Sequence, residues 1–159
     1  MASVQLRLLK FIGETSFWKR TGRLHAWLYR RTGGKIGHKA GNLTNLLLTT
    51  RGRTSGQPRT VPLTYMRDGE HYVLVASNGG SDRHPSWWLN LRKSPQAEIQ
   101  VGDRRIAVVA ARAGAPERAR LWPQLKAINP FYGHYEQITD REIPVVILRP
   151  SPEKAVSPA

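Results

Sequence analysis

The periodicity of hydrophobic and polar residues changes from helical to strand-like near residue 43 of this 159-residue chain. Before that point, apolar residues recur at helical spacing in residues 4–12 and again from residue 16 to about residue 31. The second stretch ends in two arginines and two glycines, the usual signal of a helix C-terminus. Its predicted apolar stripe consists of Phe17, Leu24 and Leu28. We therefore interpret residues 1–42 as a basic amphipathic helical segment followed by a flexible linker.

After residue 43 the apolar residues follow the short period of β-strands, and turn residues separate the runs. Asp68-Gly69 and Gly102-Asp103 are typical of hairpin turns, and Pro85 and Pro116 favour helix starts. The predicted strands are 43–50, 59–67, 72–77, 97–101, 104–111 and 143–148, and the predicted helices are 85–91, 117–128 and 131–138.

Hairpin links between most of these strands argue against a Rossmann or P-loop sheet, which needs parallel strands. The order instead predicts an α+β domain over residues 43–150, a mostly antiparallel barrel of about six strands with helices across its openings. Residues 151–159 are rich in Pro and Ser and are interpreted as a flexible tail.

Charge narrows the possible partners of the protein. The chain has 25 Lys and Arg against 11 Asp and Glu, a net charge of +14, and its first 40 residues hold nine of the basic residues and one acid. Such a balance suits nucleic acid, anionic lipid or a polyanionic ligand. The sequence lacks the signatures of zinc fingers and of RNA-recognition domains, so we do not expect a nucleic-acid partner.

The types of residue present, and those missing, exclude further kinds of chemistry and localisation. The chain has no cysteine, and its five histidines lack metal-binding spacing, so we expect neither thiol chemistry nor a metal site. No apolar run is long enough to span a bilayer and no cleavable signal pattern is present, so we expect a cytoplasmic protein. The basic N-terminal helix can lie on an anionic membrane surface or pack on its own domain.

Residues 46–63, LLLTTRGRTSGQPRTVPL, carry the strongest sign of a binding site. Three arginines, two glycines and the hydroxyls of Thr54 and Ser55 lie between two extended runs. Arginine forks match phosphate or carboxylate oxygens, and glycines let an anion approach backbone N–H groups. An ordinary basic hairpin turn has the same features. The spacing is not that of a Walker loop, so the stretch indicates an anion site without naming the anion.

Two further segments add candidate chemistry. Residues 76–91, ASNGGSDRHPSWWLNL, place paired glycines before a helix N-terminus, which favours an anionic or carbonyl-rich ligand or serves only as a tryptophan-anchored loop. Residues 129–135, NPFYGHY, place two tyrosines on one helical face, where phenols can stack on a flat ligand, donate a proton or complete the core. No Gly-x-Ser-x-Gly motif and no acid–base carboxylate pair support hydrolysis.

Together these segments resemble the deazaflavin-dependent nitroreductase and quinone-reductase family of actinobacteria, over roughly residues 43–150. The resemblance implies a split β-barrel and the cofactor coenzyme F-420, an 8-hydroxy-5-deazaflavin with a phosphate and an oligoglutamate tail. It implies an oxidoreductase that passes a hydride from the reduced coenzyme to a quinone, a nitroaromatic compound or an activated enone. An FMN- or haem-binding split barrel and a non-catalytic carrier of deazaflavin or lipid remain open alternatives.

The same resemblance implies roles for individual residues. The implied contacts with the phosphate and acidic tail are Arg53, Thr54, Ser55, Gln57, Pro58 and Arg59. The residues implied to lie along the deazaflavin ring are Ser77, Asn78, Gly79 and Gly80, braced by Trp87, Trp88 and Asn90. Tyr132 and Tyr135 are implied to line the substrate face, one of them as a proton donor.

The sequence also departs from the family pattern at three positions. Thr54 stands where lysine is common, so that one contact with the tail is weakened or is supplied by another residue. Thr64 and Asn129 stand where the nitroreductase member has tyrosines. These changes favour a quinone or an enone over a nitro compound as the acceptor.

Overall fold

The computed structural model describes residues 16–152, with side chains described from residue 21 onward except at residue 40. The helices in this part of the chain are α1 (Ser16–Arg31), α2 (Ser86–Lys93), α3 (Ala115–Ile128) and α4 (Phe131–Ile138). The strands are β1 (Lys39–Ala40), β2 (Leu43–Arg51), β3 (Pro58–Thr64), β4 (Met66–Asp68), β5 (His71–Val75), β6 (Gln96–Val101), β7 (Arg104–Arg112) and β8 (Val145–Pro150). The helix predicted over residues 4–12, and residues 153–159 of the predicted tail, lie outside the described residues.

The strands form one antiparallel sheet in the order β1-β2-β6-β7-β8-β5-β4, and β3 also pairs with β2. Strand β3 ends its pairing with β2 at Thr64, which lies opposite Asn45, and β4 begins to pair with β5 at Met66, which lies opposite Val73. Because β3 and β4 are separated only by Tyr65, this run connects the two ends of the strand order and curls the sheet into a barrel. The predicted antiparallel barrel and the implied split β-barrel are thereby confirmed.

The described part of the chain has eight strands, whereas the sequence predicted about six. The predicted strand 59–67 is divided at Tyr65, where the chain changes its pairing partner. The short strand β1 lies inside the stretch 32–42 that was interpreted as a linker, and it pairs with the start of β2.

The sheet separates two apolar clusters, because successive residues of a strand point to opposite faces. Leu74, Val146 and Leu148 belong to the first cluster, together with Trp87 and Trp88 of α2. The second cluster takes the alternate strand residues and the helices α3 and α4, and it consists mainly of Val73, Val75, Val145, Ile147, Leu121, Trp122, Leu125 and Tyr132. Strands β5 and β8 are therefore apolar on both faces of the sheet. Helix α2 packs against the face of the first cluster, and α3 and α4 pack against the face of the second.

Helix α1 packs on β3, and it does so with a face that differs from the predicted stripe. Ala26 and Tyr29 are buried, whereas Leu24 is 58% exposed, so the assignment of Leu24 to the apolar face was wrong. The Tyr29 hydroxyl donates to the carbonyl oxygen of Asn45 (3.1 Å) and accepts from the backbone N–H of Gly102 (2.9 Å). Burial of the Tyr29 ring and the hydrogen bonds of its hydroxyl determine which face of α1 packs on the barrel. The spacing of the leucines alone does not indicate this face.

Candidate functional site

A cleft of about 300 Å³ opens where the end of β3, the end of β5 and the start of α4 come together. Four of the residues implied to contact the ring or the acceptor line it: Ser77, Gly79, Tyr132 and Tyr135. Its remaining walls are formed by His25, Asn45, Pro62, Leu63, Thr64, Val75 and Asn129. Two of the three departures from the family pattern, Thr64 and Asn129, therefore lie at the cleft.

The two tyrosines of α4 lie in a stack of aromatic rings. Tyr132 is buried and stacks on Trp122, with ring centroids 6.3 Å apart, while Tyr135 stacks on Phe131, also at 6.3 Å. Burial raises the pKa of both phenols, and a hydrogen bond to Asn129 opposes this at Tyr132. Both hydroxyls therefore keep their protons at neutral pH, so that each has a proton to donate.

The loop after β5 forms the opposite wall through an unusual backbone. Asn78, Gly79 and Gly80 all have positive φ angles, of 49°, 62° and 77°. Gly80 is buried against α4, and a Cβ atom there would lie 2.5 Å from Ile138 and 3.2 Å from Tyr135. At Gly79 a Cβ atom would meet nothing within 4 Å, so the backbone is open on the side where a ligand can approach.

The predicted anion site is the turn between β2 and β3. Gly52 donates its N–H to the carbonyl oxygen of Gln57 (2.8 Å), and Gly56 donates to that of Gly52 (2.8 Å). The Ser55 hydroxyl oxygen accepts from the backbone N–H of Gln57 (3.3 Å) and from Arg59 Nη2 (3.4 Å). In the described part of the chain, the arginines of this turn form no ion pair with a carboxylate, so their charge is available for an acidic ligand.

The arginine turn and the cleft lie at opposite ends of the same ladder. The pair Arg51–Pro58 closes the turn, while the pair Asn45–Thr64 borders the cleft. Six residue steps separate the two pairs, which is about 20 Å at the usual rise of a strand. The structure therefore divides the predicted site residues into two groups and does not bring them into one pocket.

Helix α2 anchors the arginine turn to the barrel. Asn90 is buried, and its amide nitrogen donates to the Thr50 hydroxyl (3.0 Å). Its amide oxygen accepts two hydrogen bonds from Arg53, and Lys93 Nζ donates to the Arg53 carbonyl oxygen (2.8 Å). Trp87 and Trp88 do not line the cleft, but are buried in the barrel core.

Two polar residues of the cleft, Asn45 and His25, were not predicted from the sequence. Asn45 donates its amide N–H to the Gly37 carbonyl oxygen (3.2 Å), and its amide oxygen accepts from the Thr64 hydroxyl (2.9 Å). His25 Nε2 lies 3.0 Å from the same carbonyl oxygen of Gly37. Asn45 could have been noticed in the sequence, because a polar residue within an otherwise apolar strand often has a specific role. His25 could not, because a histidine within a basic helix does not indicate a site.

Comparison with known proteins identifies the family. The family model described as F420H(2)-dependent quinone reductase matches residues 20–150. The chain belongs to this family. An F420H(2)-dependent quinone reductase of Mycobacterium tuberculosis is 46% identical to the chain over 130 residues, which are 79% of this chain and 87% of that protein.

Solved structures agree with this assignment. An F420-H2 dependent reductase is 37% identical, with a TM-score of 0.61, over 66% of this chain and 93% of its own. A heme binding protein from Mycobacterium smegmatis is 23% identical, with a TM-score of 0.55, over 72% of this chain and 49% of its own. The second likeness shows the shared fold alone.

As a member of the F420H(2)-dependent quinone reductase family, the protein is an oxidoreductase whose cofactor is coenzyme F420. The residues fit that coenzyme: the turn at one end of β3 offers guanidinium groups, without an ion-pair partner within residues 21–152, for a phosphate and an acidic tail. The cleft at the other end offers aromatic rings and open backbone for a flat ring system. Among the described residues, no helix is long and apolar enough to cross a bilayer.

Proposed function

We propose that this protein transfers a hydride from reduced coenzyme F420 to a quinone held in the tyrosine-lined cleft. The observation that carries the proposal is the arrangement along β3, with arginines that form no ion pair among the described residues at one end and the cleft at the other. A long coenzyme with a flat head and an anionic tail suits that arrangement.

In this proposal the turn binds the anionic part of the coenzyme. Arg59 is exposed and supplies a charged fork, and Arg53, which is also exposed, contributes from the part of the turn that Asn90 anchors. The residues that complete this contact are Thr54, Ser55, Gln57 and Pro58, all exposed. Guanidinium groups bind phosphate and carboxylate through charge-assisted hydrogen bonds, so this contact holds the coenzyme in register along β3.

The cleft then orients the reaction. Ser77, Asn78, Gly79 and Gly80 lie along the ring, which when bound in its reduced form supplies the hydride. Conversion of a quinone to a quinol requires one proton in addition to the hydride, and Tyr132 or Tyr135 donates it to the reduced oxygen of the acceptor. Leu63, Val75 and the tyrosine rings keep water from the reacting atoms.

The polarity of the cleft bears on the choice among acceptors. Thr64 and Asn129 present a hydroxyl and an amide where larger phenols would narrow the space. The Thr64 hydroxyl already donates its proton to the Asn45 amide oxygen, so of these two groups only the Asn129 amide is left to donate to a carbonyl oxygen of a quinone or an enone. We rank nitroaromatic compounds below both. An enone reduced at its double bond uses the same hydride and the same proton donor.

We further propose that the protein adsorbs to an anionic membrane surface through α1. Leu24 is 58% and Trp27 52% exposed on the outward side of this helix, and the Arg31 guanidinium lies 5.3 Å from the centre of the Trp27 ring. Exposed Arg23 and Arg30 add positive charge nearby. Tryptophan and leucine edged by cations suit the headgroup region, from which a lipophilic quinone is reached.

The proposed reaction is tested by mixing the purified protein with reduced F420 and a water-soluble quinone and following coenzyme oxidation by its absorbance. Binding of F420, FMN and haem is compared in parallel by fluorescence or absorbance. We expect turnover with reduced F420 and tighter binding of F420 than of FMN or haem. Binding of F420 without turnover of any quinone, enone or nitro compound would indicate a carrier, and preference for FMN or haem would contradict the proposal.

A further inference from the structure

Arg141, in the segment between α4 and β8, is bonded almost entirely to the loop that forms one wall of the cleft. Its Nε donates to the carbonyl oxygen of Ser81 (2.8 Å), and its Nη2 donates to those of Ala76 (3.1 Å) and Ser77 (2.7 Å). Its Nη1 lies 3.2 Å from Nδ1 of His84. One guanidinium group thus binds the loop both before and after residues 78–80, at Ala76 and Ser77 on one side and at Ser81 on the other.

The part of the loop between these contacts has a conformation that needs external support. Asn78, Gly79 and Gly80 are left-handed in succession, and Asn78 adopts this region despite its side chain. The Gly80 N–H reaches the Ser77 carbonyl oxygen at 3.0 Å, the same oxygen that Arg141 binds. Sparsely populated backbone persists only where the surroundings over-determine it, and Arg141 supplies three of the bonds that do so.

We propose that Arg141 is a positioning residue for hydride transfer, because it holds the loop that presents Ser77 and Gly79 to the cleft. The inference rests on the proposed function in so far as it concerns the reaction. Arg141 itself does not line the cleft, so it acts through the loop and not by contact with the acceptor.

The chemistry of the side chain explains why an arginine stands here. A guanidinium has five N–H donors in a rigid fork, and this one addresses three carbonyl oxygens and a ring nitrogen at the same time. A lysine ammonium is a point charge that cannot span the two ends of the loop. Burial lowers the pKa of Arg141 and the nearby Asp82 raises it, and an arginine remains charged at neutral pH under these influences.

The decisive comparison is Arg141→Lys, which keeps the charge and loses the fork. Arg120→Lys is the matched control, because Arg120 also forms a forked contact, with both oxygens of Asp68 at 3.0 and 2.7 Å, and neither residue lines the cleft. Amide hydrogen exchange at Gly80 and Ser81 is measured in the coenzyme-free protein. Turnover of a water-soluble quinone is measured with reduced F420 well below the unfolding temperature.

For Arg141→Lys we expect exchange at Gly80 and Ser81 to become about tenfold faster while the barrel strands keep their protection. We expect kcat to fall about 10²-fold, the loss that follows when a reacting group is displaced by about 1 Å. The Kd for F420 should change far less, because the arginine turn is untouched. Arg120→Lys should leave both the exchange of the loop and kcat as in the wild type.

Wild-type exchange and wild-type kcat in Arg141→Lys would overturn the inference. So would a uniform loss of protection across the barrel with unchanged kcat, since that is the signature of a purely structural role. If Arg141→Lys does not fold, Asn78→Ala perturbs the same loop while retaining Arg141, and a wild-type kcat in that variant overturns the inference. A wild-type protein that fails to oxidise reduced F420 contradicts the proposed function instead, and is therefore distinguishable.

Discussion

Arg53 and Asn90 meet through a single amide oxygen: Asn90 Oδ1 accepts hydrogen bonds from the backbone N–H and from Nη1 of Arg53, each at 3.1 Å. Arg59 stands in the same turn, but its guanidinium reaches only as far as the Ser55 hydroxyl, at 3.4 Å. The two arginines that the sequence groups together therefore have different surroundings. One is tied to the buried part of α2, and the other is presented to solvent.

We expect Arg59→Ala and Arg53→Ala to weaken coenzyme binding by different routes. Each loses charge-assisted hydrogen bonds worth about 1.5–3 kcal/mol in the Kd for F420. Only Arg53→Ala should also lower the free energy of unfolding, because it leaves the buried oxygen of Asn90 without its guanidinium partner. Fluorescence titration and urea denaturation measure the two quantities.

The control for this pair is Arg149→Ala, which removes an exposed arginine from β8 and should change neither quantity. Binding by the wild type should weaken as salt is added, because exposed charges are screened. A Kd unaffected by both substitutions in the turn would show that the phosphate and acidic tail bind elsewhere.

The cleft tyrosines are tested by Tyr132→Phe and Tyr135→Phe. If one phenol is the proton donor, its Phe variant should lower kcat by about 10²-fold with little change in the Kd for F420. Since burial raises the pKa of both phenols, the proton is retained until the pH exceeds the ordinary tyrosine value of about 10. The wild-type rate should therefore show no loss from tyrosine ionisation between pH 7 and about pH 9.

Tyr65→Phe is the matched control, because that ring packs against the first core cluster and does not line the cleft. Wild-type rates in both single variants and in the double variant would rule out a tyrosine donor. Equal losses for Phe and Ala substitutions would point to packing of the ring and not to its hydroxyl.

The contact between α1 and the barrel predicts an effect at Tyr29. Tyr29→Phe removes the hydroxyl that joins the Asn45 carbonyl and the Gly102 N–H, and leaves these groups without that partner. We expect the free energy of unfolding to fall by about 1–3 kcal/mol. Urea denaturation checks this against Tyr65→Phe, and an unchanged midpoint for Tyr29→Phe would contradict the assigned role of the hydroxyl.

The outward side of α1 gives a prediction about membranes. Replacing both Leu24 and Trp27 by Ser should weaken sedimentation with anionic vesicles by about tenfold or more, because burial of each side chain is worth about 1.5–3 kcal/mol. Binding by the wild type should also weaken at high salt, since each basic residue near the surface contributes about 1 kcal/mol.

Val109→Ser tests whether loss of any exposed apolar residue has the same effect, because Val109 is 40% exposed on β7. Vesicle binding that is equal in the double variant and the wild type would defeat the proposal for α1. Turnover of a water-soluble quinone should survive in the double variant, because neither residue lines the cleft.

We expect His84 to make the free energy of unfolding depend on pH. Burial lowers the pKa of this histidine, and the Arg141 charge lowers it further, so the unfolded chain binds the proton more readily than the folded one. The stabilisation is therefore complete above the unfolded value of about 6.5 and is lost as the pH falls through the lower folded value. His84→Gln should reduce the slope of the free energy of unfolding against pH in that range, which urea denaturation at a series of pH values measures. An unchanged slope for His84→Gln would contradict this prediction.

The elements of the fold could be read from the sequence because their signals are local. Short continuous apolar runs mark strands such as β5 and β8, and the glycine turns mark where one strand ends and the next begins. The joint occurrence of the arginine turn, the glycine loop and the paired tyrosines was likewise visible, and it was sufficient to predict the family that the comparisons confirm.

Only the tertiary structure decided which residues share a site. Leucine spacing placed Leu24 on the inward face of α1, whereas burial of Tyr29 turns that helix so that Leu24 faces solvent and His25 reaches the cleft. The register of β2 with β3 puts the arginine turn about 20 Å from the cleft instead of in it. The hydrogen bonds from Arg141 to Ala76 and Ser77 join residues that are 65 and 64 positions apart in the sequence. Periodicity reports only whether a residue is buried or exposed within its own element, while such contacts follow from strand register and from the need to pair every buried polar group.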